Sequence, residues 1–128
     1  MPMWCSPRPW WACAKKFDDA ICRNSYPLDI HADKDKHHPK ITRLPAGEYH
    51  EMPYRCLVPL AVENLLVAGR CVSASFEAQS SIRIQSNCRA MGEAAAVACA
   101  MSIRSGISPR ALDGKLVREQ LVLNGAHL

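Results

Sequence analysis

The sequence predicts a mixed α/β chain, with short strands and loops first and two helices at the C-terminal end. Three observations carry this reading. Eight of the nine prolines fall in residues 1–59, and proline interrupts both β-ladders and helix interiors. Asn64 to Ala68, NLLVA, is a short continuous apolar run closed by Gly69. Such a run suits a strand buried on both faces, as in a parallel sheet flanked by helices. Residues 87–106, NCRAMGEAAAVACAMSIRSG, carry alanine at six positions and end in Gly106, which is the composition and the stop signal of a helix.

The elements follow in order. Residues 1–16, MPMWCSPRPWWACAKK, show neither helical nor strand periodicity and are expected to form a poorly packed tail. His31 to Lys40, HADKDKHHPK, is polar and charged and reads as an exposed loop. Residues 51–58, EMPYRCLV, are expected as a strand, with Pro53 near its start and Pro59 ending it. A loop rich in serine and alanine runs from Arg70 to about Ser86. The alanine-rich helix comes next. Ser108-Pro109 is then placed as N-cap and first residue of a second helix. Its apolar stripe is Leu112, Leu116, Val117 and Leu121, and Asn124-Gly125 ends it.

Composition narrows the function classes. A chain of 128 residues, 48% hydrophobic and 22% charged, suffices for one modest core. Its net charge of +4 is scattered rather than gathered on one face, which argues against a nucleic-acid partner. No apolar run approaches the roughly 20 residues of a membrane span. The seven cysteines, at 5, 13, 22, 56, 71, 88 and 99, are odd in number and never in a C-x-x-C spacing. With no secretory h-region at the start, they read as reduced, mostly buried thiols of a cytoplasmic protein. His37-His38 with Cys71 or Cys88 lacks any zinc-ligand spacing, and no metal site is expected. Cys88, just before the predicted helix start, has two readings, a reactive thiol or a buried inert one.

One arrangement has a chemical use. The apolar run, Gly69, the small-residue loop and the helix place Gly92-Glu93-Ala94-Ala95 in what is expected to be the helix's first turn. First-turn amides are unpaired and carry partial positive charge, so they suit a phosphate, a carboxylate or the electron-rich oxygen of a reduced flavin. Glycine and alanine there let a flat ring approach the backbone. Small residues equally serve a helix packed closely on a sheet, and periodicity alone does not separate the two uses.

Four ordered blocks add a resemblance. FDDAICRNSYPLDIH (17–31), PAGEYHEMPYRCLVP (45–59), ENLLVAGRCVSASFEAQSSIRI (63–84) and CRAMGEAAAVACAM (88–101) are similar to the C-terminal part of a bacterial FAD-dependent oxidoreductase family. That family is grouped with the flavoprotein subunit of heterodisulfide reductase. The resemblance covers about residues 17–128 and implies the C-terminal portion of a Rossmann-like flavoprotein. Residues 17–60 would then belong to the substrate-side region, and 61–128 to a strand, loop and helix segment of the FAD-binding domain. It implies FAD as cofactor, a small organic substrate, and hydride transfer between that substrate and the flavin. By position, Gly69 and Arg70 would lie on the ribityl and phosphate side of the flavin. Gly92, Glu93 and Ala94 would face its pyrimidine edge. Ser81 and Arg83 would sit on the loop nearest the ring, with Arg83 placing positive charge beside a reduced flavin or an anionic substrate. Tyr54 and Arg55 would line the substrate side or else form a partly buried structural pair, and His31 is an acid/base candidate or else an ordinary strand-end histidine.

The sequence departs from the family pattern in four places. Phe76 stands where the family often has histidine, Ala96 where a glycine is usual, and Ser86-Asn87 where a proline commonly precedes the helix. The chain also contains no G-x-G-x-x-G turn to seat a pyrophosphate, nor the acidic residue that would follow it for the ribose. The expectation is therefore a fragment with a partial FAD site, completed by a separate dinucleotide-binding chain or self-associated. The alternative is a non-catalytic remnant or interaction module that does not bind FAD alone.

Overall fold

The structure, a computed structural model, describes residues 14–31 and 40–128. Most of the expected tail and of the His31–Lys40 loop therefore lies outside the described residues. Among the described residues four short strands come first, β1 (Ala20–Asn24), β2 (Leu28–Ile30), β3 (Lys40–Thr42) and β4 (His50–Pro53). Three helices follow, α1 (Phe76–Ile82), α2 (Gln85–Ser105) and α3 (Gly114–Leu123). The predicted mixture of strands first and helices last is what the chain adopts.

The strands form two antiparallel pairs. β1 lies against β4, with Arg23 opposite Glu51 and Asn24 opposite His50, and a bulge between Ala20 and Cys22. β2 lies against β3, with Asp29 opposite Ile41. The strand expected over 51–58 is thus β4 alone. At Tyr54 the chain turns into a 3-10 turn, Tyr54–Leu57, which buries Tyr54 and Leu57.

The NLLVA run is a correction. Residues 64–68 are not a strand, and no parallel pair of strands occurs among the described residues. Asn64 adopts a left-handed φ of 55°, Leu65 is exposed, and the segment's backbone link to a neighbour is Val67 N–H donating to the Leu57 carbonyl at 2.8 Å. The physical reason is that a strand buried on both faces needs hydrogen-bonding neighbours at its edges. Here no described strand stands beside it.

α2 is the spine of the molecule. Asn87, Met91, Ala94 and Ala98 recur at helical spacing and are its buried stripe. Because two of the four are alanines, the helix approaches β1 and α3 closely, and Ile21, Met52, Leu57 and Ile82 close the core around it. Its C-terminus stops at Gly106, whose φ of 66° is left-handed, as its position predicts. Its start is earlier than predicted, at Gln85, and the segment expected as a loop contains α1. Ser75 caps that helix, its side chain accepting from the Ala78 amide.

The second C-terminal helix is displaced too. Ser108-Pro109 opens only a turn, in which the Ser108 carbonyl accepts from the Ala111 and Leu112 amides at 2.9 and 3.2 Å. The helix proper begins five residues later, capped by Asp113, whose carboxylate accepts from the Lys115 amide at 2.9 Å. Tertiary contact fixes this. The Tyr54 hydroxyl donates to the Pro109 carbonyl at 2.7 Å, and Gly114 packs so closely that an added Cβ would lie 2.8 Å from that of Asp19. Of the expected stripe, Val117 and Leu121 are buried, Leu112 is half-buried and Leu116 is exposed. Asn124 and Gly125 end the helix as expected. No helix among the described residues is long and apolar enough to cross a membrane.

Candidate functional site

The site is built at the elbow between α1 and α2. Gly69, with φ of 83°, starts a 3-10 turn over Gly69–Cys71 that brings Arg70 alongside the end of α1. Arg70 is tied there at both ends. Its Nε donates to the Arg83 carbonyl at 3.0 Å, and its own carbonyl accepts from Gln79 Nε2 at 2.7 Å. Arg83 is the C-cap of α1, and its Nη2 donates to the Asp29 carbonyl at 3.3 Å. The same guanidinium lies 3.8 Å from the Asp29 carboxylate, and His31 Nε2 lies 3.4 Å from it. Two sequence-predicted catalytic candidates, Arg83 and His31, therefore converge on one carboxylate. That carboxylate was not among the predicted residues.

At Ile84 the chain is extended, and α2 begins with no side-chain cap and no acidic residue in its first turn. Its unpaired amides keep their partial positive charge. Arg70, Gln85, Cys88 and Arg89 border a shallow, open depression at this end. Cys88 Sγ donates weakly to the Arg83 carbonyl at 3.7 Å. Arg70, Arg89 and a helix N-terminus, with Arg83 and its Asp29 partner alongside, make the elbow a donor-rich surface.

Other predicted residues are placed elsewhere. Gly92, Glu93 and Ala94 are not in the first turn of α2. They lie two turns in, about 10 Å along the axis from its start. Gly92 and Glu93 are exposed, and a Cβ added at Gly92 would meet nothing within 4 Å, whereas Ala94 is fully buried in the core. Ser81 is not on a loop either. It occupies the last turn of α1, wholly buried, its hydroxyl donating to the Tyr26 carbonyl and accepting from Asn24 Nδ2, both at 2.8 Å.

Tyr54 and Arg55 border a different cleft, of about 390 Å³, between the 3-10 turn at 54–57 and the start of α3. Arg55 Nη1 donates to both oxygens of Asp19 at 2.9 Å. Burial raises the Asp19 carboxyl above its ordinary range, a push that outweighs the opposing pull of Arg55. Burial likewise pushes the Tyr54 phenol up to about 12. A narrow slot lies between β4 and the segment before α1, bordered by Glu51, Met52, Cys56 and Ala78.

Sequence reasoning also missed a buried polar ring behind the elbow. Asn24, His50, Ser81 and Asn87 are all nearly inaccessible and come from β1, β4, α1 and α2. Asn24 Nδ2 lies 2.9 Å from His50 Nε2, and Cys22 Sγ donates to Asn87 Oδ1 at 3.4 Å. Asn87 alone left a signal in the sequence, a polar residue in register with Met91, Ala94 and Ala98 on the buried face.

Comparison with known proteins decides the family. The family model described as FAD dependent oxidoreductase matches residues 11–121, nearly the whole chain. The chain belongs to this family. Neither the curated proteins nor the solved structures give a match. The donor set at the elbow suits the family's cofactor. FAD is anionic at its pyrophosphate, and its isoalloxazine gains electron density on reduction, so either end would meet arginines and unpaired amides there.

Proposed function

We propose that this FAD-dependent oxidoreductase chain presents the α1–α2 elbow to the flavin. Arg70, Arg83, Arg89 and the first-turn amides of α2 would then hold the cofactor's electron-rich or phosphate end. The observation that carries the reading is the uncapped, acid-free start of α2 flanked by Arg70 and Arg89. When bound, FAD supplies two-electron chemistry, the exchange of a hydride with a small organic substrate. This chain's share is orientation and charge. Arg83, paired with Asp29, would offer positive charge to a bound flavin, and His31 on the same carboxylate would be the proton-handling group. Tyr54 and Arg55, in their own cleft, are assigned to the substrate side.

Because the sequence holds no G-x-G-x-x-G, the pyrophosphate seat of the Rossmann-like lobe is assigned to polypeptide outside these 128 residues. The exposed side chains of Leu60, Val62 and Leu65 support a docking role for this chain, and a second reading makes docking its whole function, without flavin. Nuclear magnetic resonance titration of the chain with FAD separates the two. Weak binding, with shifts gathered at residues 70 and 83–89 and lost in Arg89→Glu, supports the flavin elbow. Shifts elsewhere, or none at millimolar FAD, leave only the docking role.

A further inference from the structure

We infer that His50 is a positioning residue that holds the α1–α2 elbow in place through Asn24 and Ser81, and that only its neutral imidazole does so. The inference does not depend on what the elbow binds. It rests on the direction of each hydrogen bond in the buried ring. The Tyr26 amide donates to Asn24 Oδ1 at 2.9 Å, which fixes the Asn24 side chain with its Nδ2 facing the other way. That Nδ2 donates to Ser81 Oγ at 2.8 Å, while the Ser81 hydroxyl proton goes to the Tyr26 carbonyl. Its second proton points at His50 Nε2, 2.9 Å away. An amide nitrogen cannot accept, so His50 Nε2 must, and the ring proton sits on Nδ1.

Adding a proton to Nε2 sets donor against donor. Turning the Asn24 amide over does not relieve this, because it would set Nδ2 against the Tyr26 N–H and withdraw the donor from Ser81. The strain therefore passes to Ser81, the last turn of α1. The Ser81 carbonyl also takes the Asn87 side chain at 3.5 Å, and the neighbouring Arg83 carbonyl takes Arg70. Loss of the Asn24 link thus loosens the joint that presents Arg70, Arg83 and the start of α2.

The ring resists protonation because it is buried, with the Lys16 charge adding to the effect, and its pKa is lowered to about 4. The charged or titratable groups around it are Lys16, Cys22 and Arg23 of β1, Glu51 of β4, and Arg43 beside the cleft that His50 borders. Burial pushes the Cys22 thiol up to about 12, so it stays neutral. If opening the joint frees the imidazole to its ordinary 6.5, the open fraction grows about tenfold for each pH unit from 6.5 down to about 4.

Hydrogen exchange of the full chain, followed by peptide from neutral pH to about 4 and corrected for intrinsic rates, tests this. Peptides spanning 76–88 should lose protection with that slope while those of β1 and α3 keep theirs. His50→Gln, whose side-chain oxygen still accepts and takes no proton, should hold the joint closed and abolish the slope. His50→Leu should leave it open at every pH. The inference is overturned if all peptides open together, if 76–88 stays protected in the folded wild type at acid pH, or if His50→Gln keeps the wild-type slope. That last comparison decides the matter even if His50→Leu fails to fold.

Discussion

Two glycines behave oppositely, and the difference is one of neighbours. Gly114 begins α3 against Asp19 and Tyr54, and an added Cβ would lie 2.8 Å from Asp19 Cβ and 3.0 Å from Tyr54 Cβ. Neither neighbour is a flexible side-chain tip, so something must shift. Gly114→Ala should cost about 1–3 kcal/mol of stability, read as a lower midpoint in thermal or urea unfolding. Gly92 meets nothing within 4 Å and is helical, so Gly92→Ala should stabilise by up to about 1 kcal/mol. The described cysteines divide in the same local way and are not mostly buried as expected, since only Cys22 is fully enclosed. Burial pushes the Cys22 and Cys56 thiols up to about 12, whereas Cys71 and Cys99 are exposed. Alkylation of the native protein, located by peptide mass spectrometry, should label Cys71 and Cys99 well before Cys22 and Cys56. Rapid labelling of Cys22 in the folded state would mean that its site opens readily.

At the scale of elements, the start of each helix decides what that helix offers. α3 has its own cap in Asp113, and Asp113→Ala should cost about 1 kcal/mol, measurable by the same unfolding curves. α2 has none, which is why its N-terminus is left for an anion. Placing a carboxylate there, as in Ser86→Glu, should raise the melting temperature by satisfying the helix end and weaken FAD binding by filling it. A variant that gains stability without losing FAD would show that the cofactor does not use this end. α1 is too short to stand on propensity and is held by its contacts with β2 and the buried ring.

For the whole molecule, the balance of buried and exposed apolar surface matters most. Leu60, Val62, Leu65 and Phe76 are exposed on the segment around residues 60–76, and Leu60 is 80% accessible. Single exposed leucines are ordinary, but four large apolar side chains exposed within one segment give a partner something to cover. The chain should bind the dye ANS and self-associate as its concentration rises, seen by light scattering or sedimentation. Leu60→Glu with Leu65→Glu should suppress both while leaving the melting temperature within about 0.5 kcal/mol equivalent of wild type. A sharp monomer that ignores ANS would count against any docking surface there.

What the sequence determined by itself is what local chemistry and short periods determine. Proline density confined regular structure in the first half to short strands. Alanine content and Gly106 set α2 and its end, and four ordered blocks set the FAD-dependent oxidoreductase family. Tertiary structure decided the rest. NLLVA has strand composition but no neighbouring strand to pair with, so pattern alone placed it wrongly. Ser108-Pro109 carries a helix-start signal, yet Tyr54 takes the Pro109 carbonyl and Gly114 docks on Asp19, which moves the start to Asp113. Arg70, Arg83 and His31 were legible as candidates, but Asp29, which joins two of them, was not. Nor was the cluster of Asn24, His50, Ser81 and Asn87, because its members come from four separate elements and polar residues advertise burial only once their partners are seen.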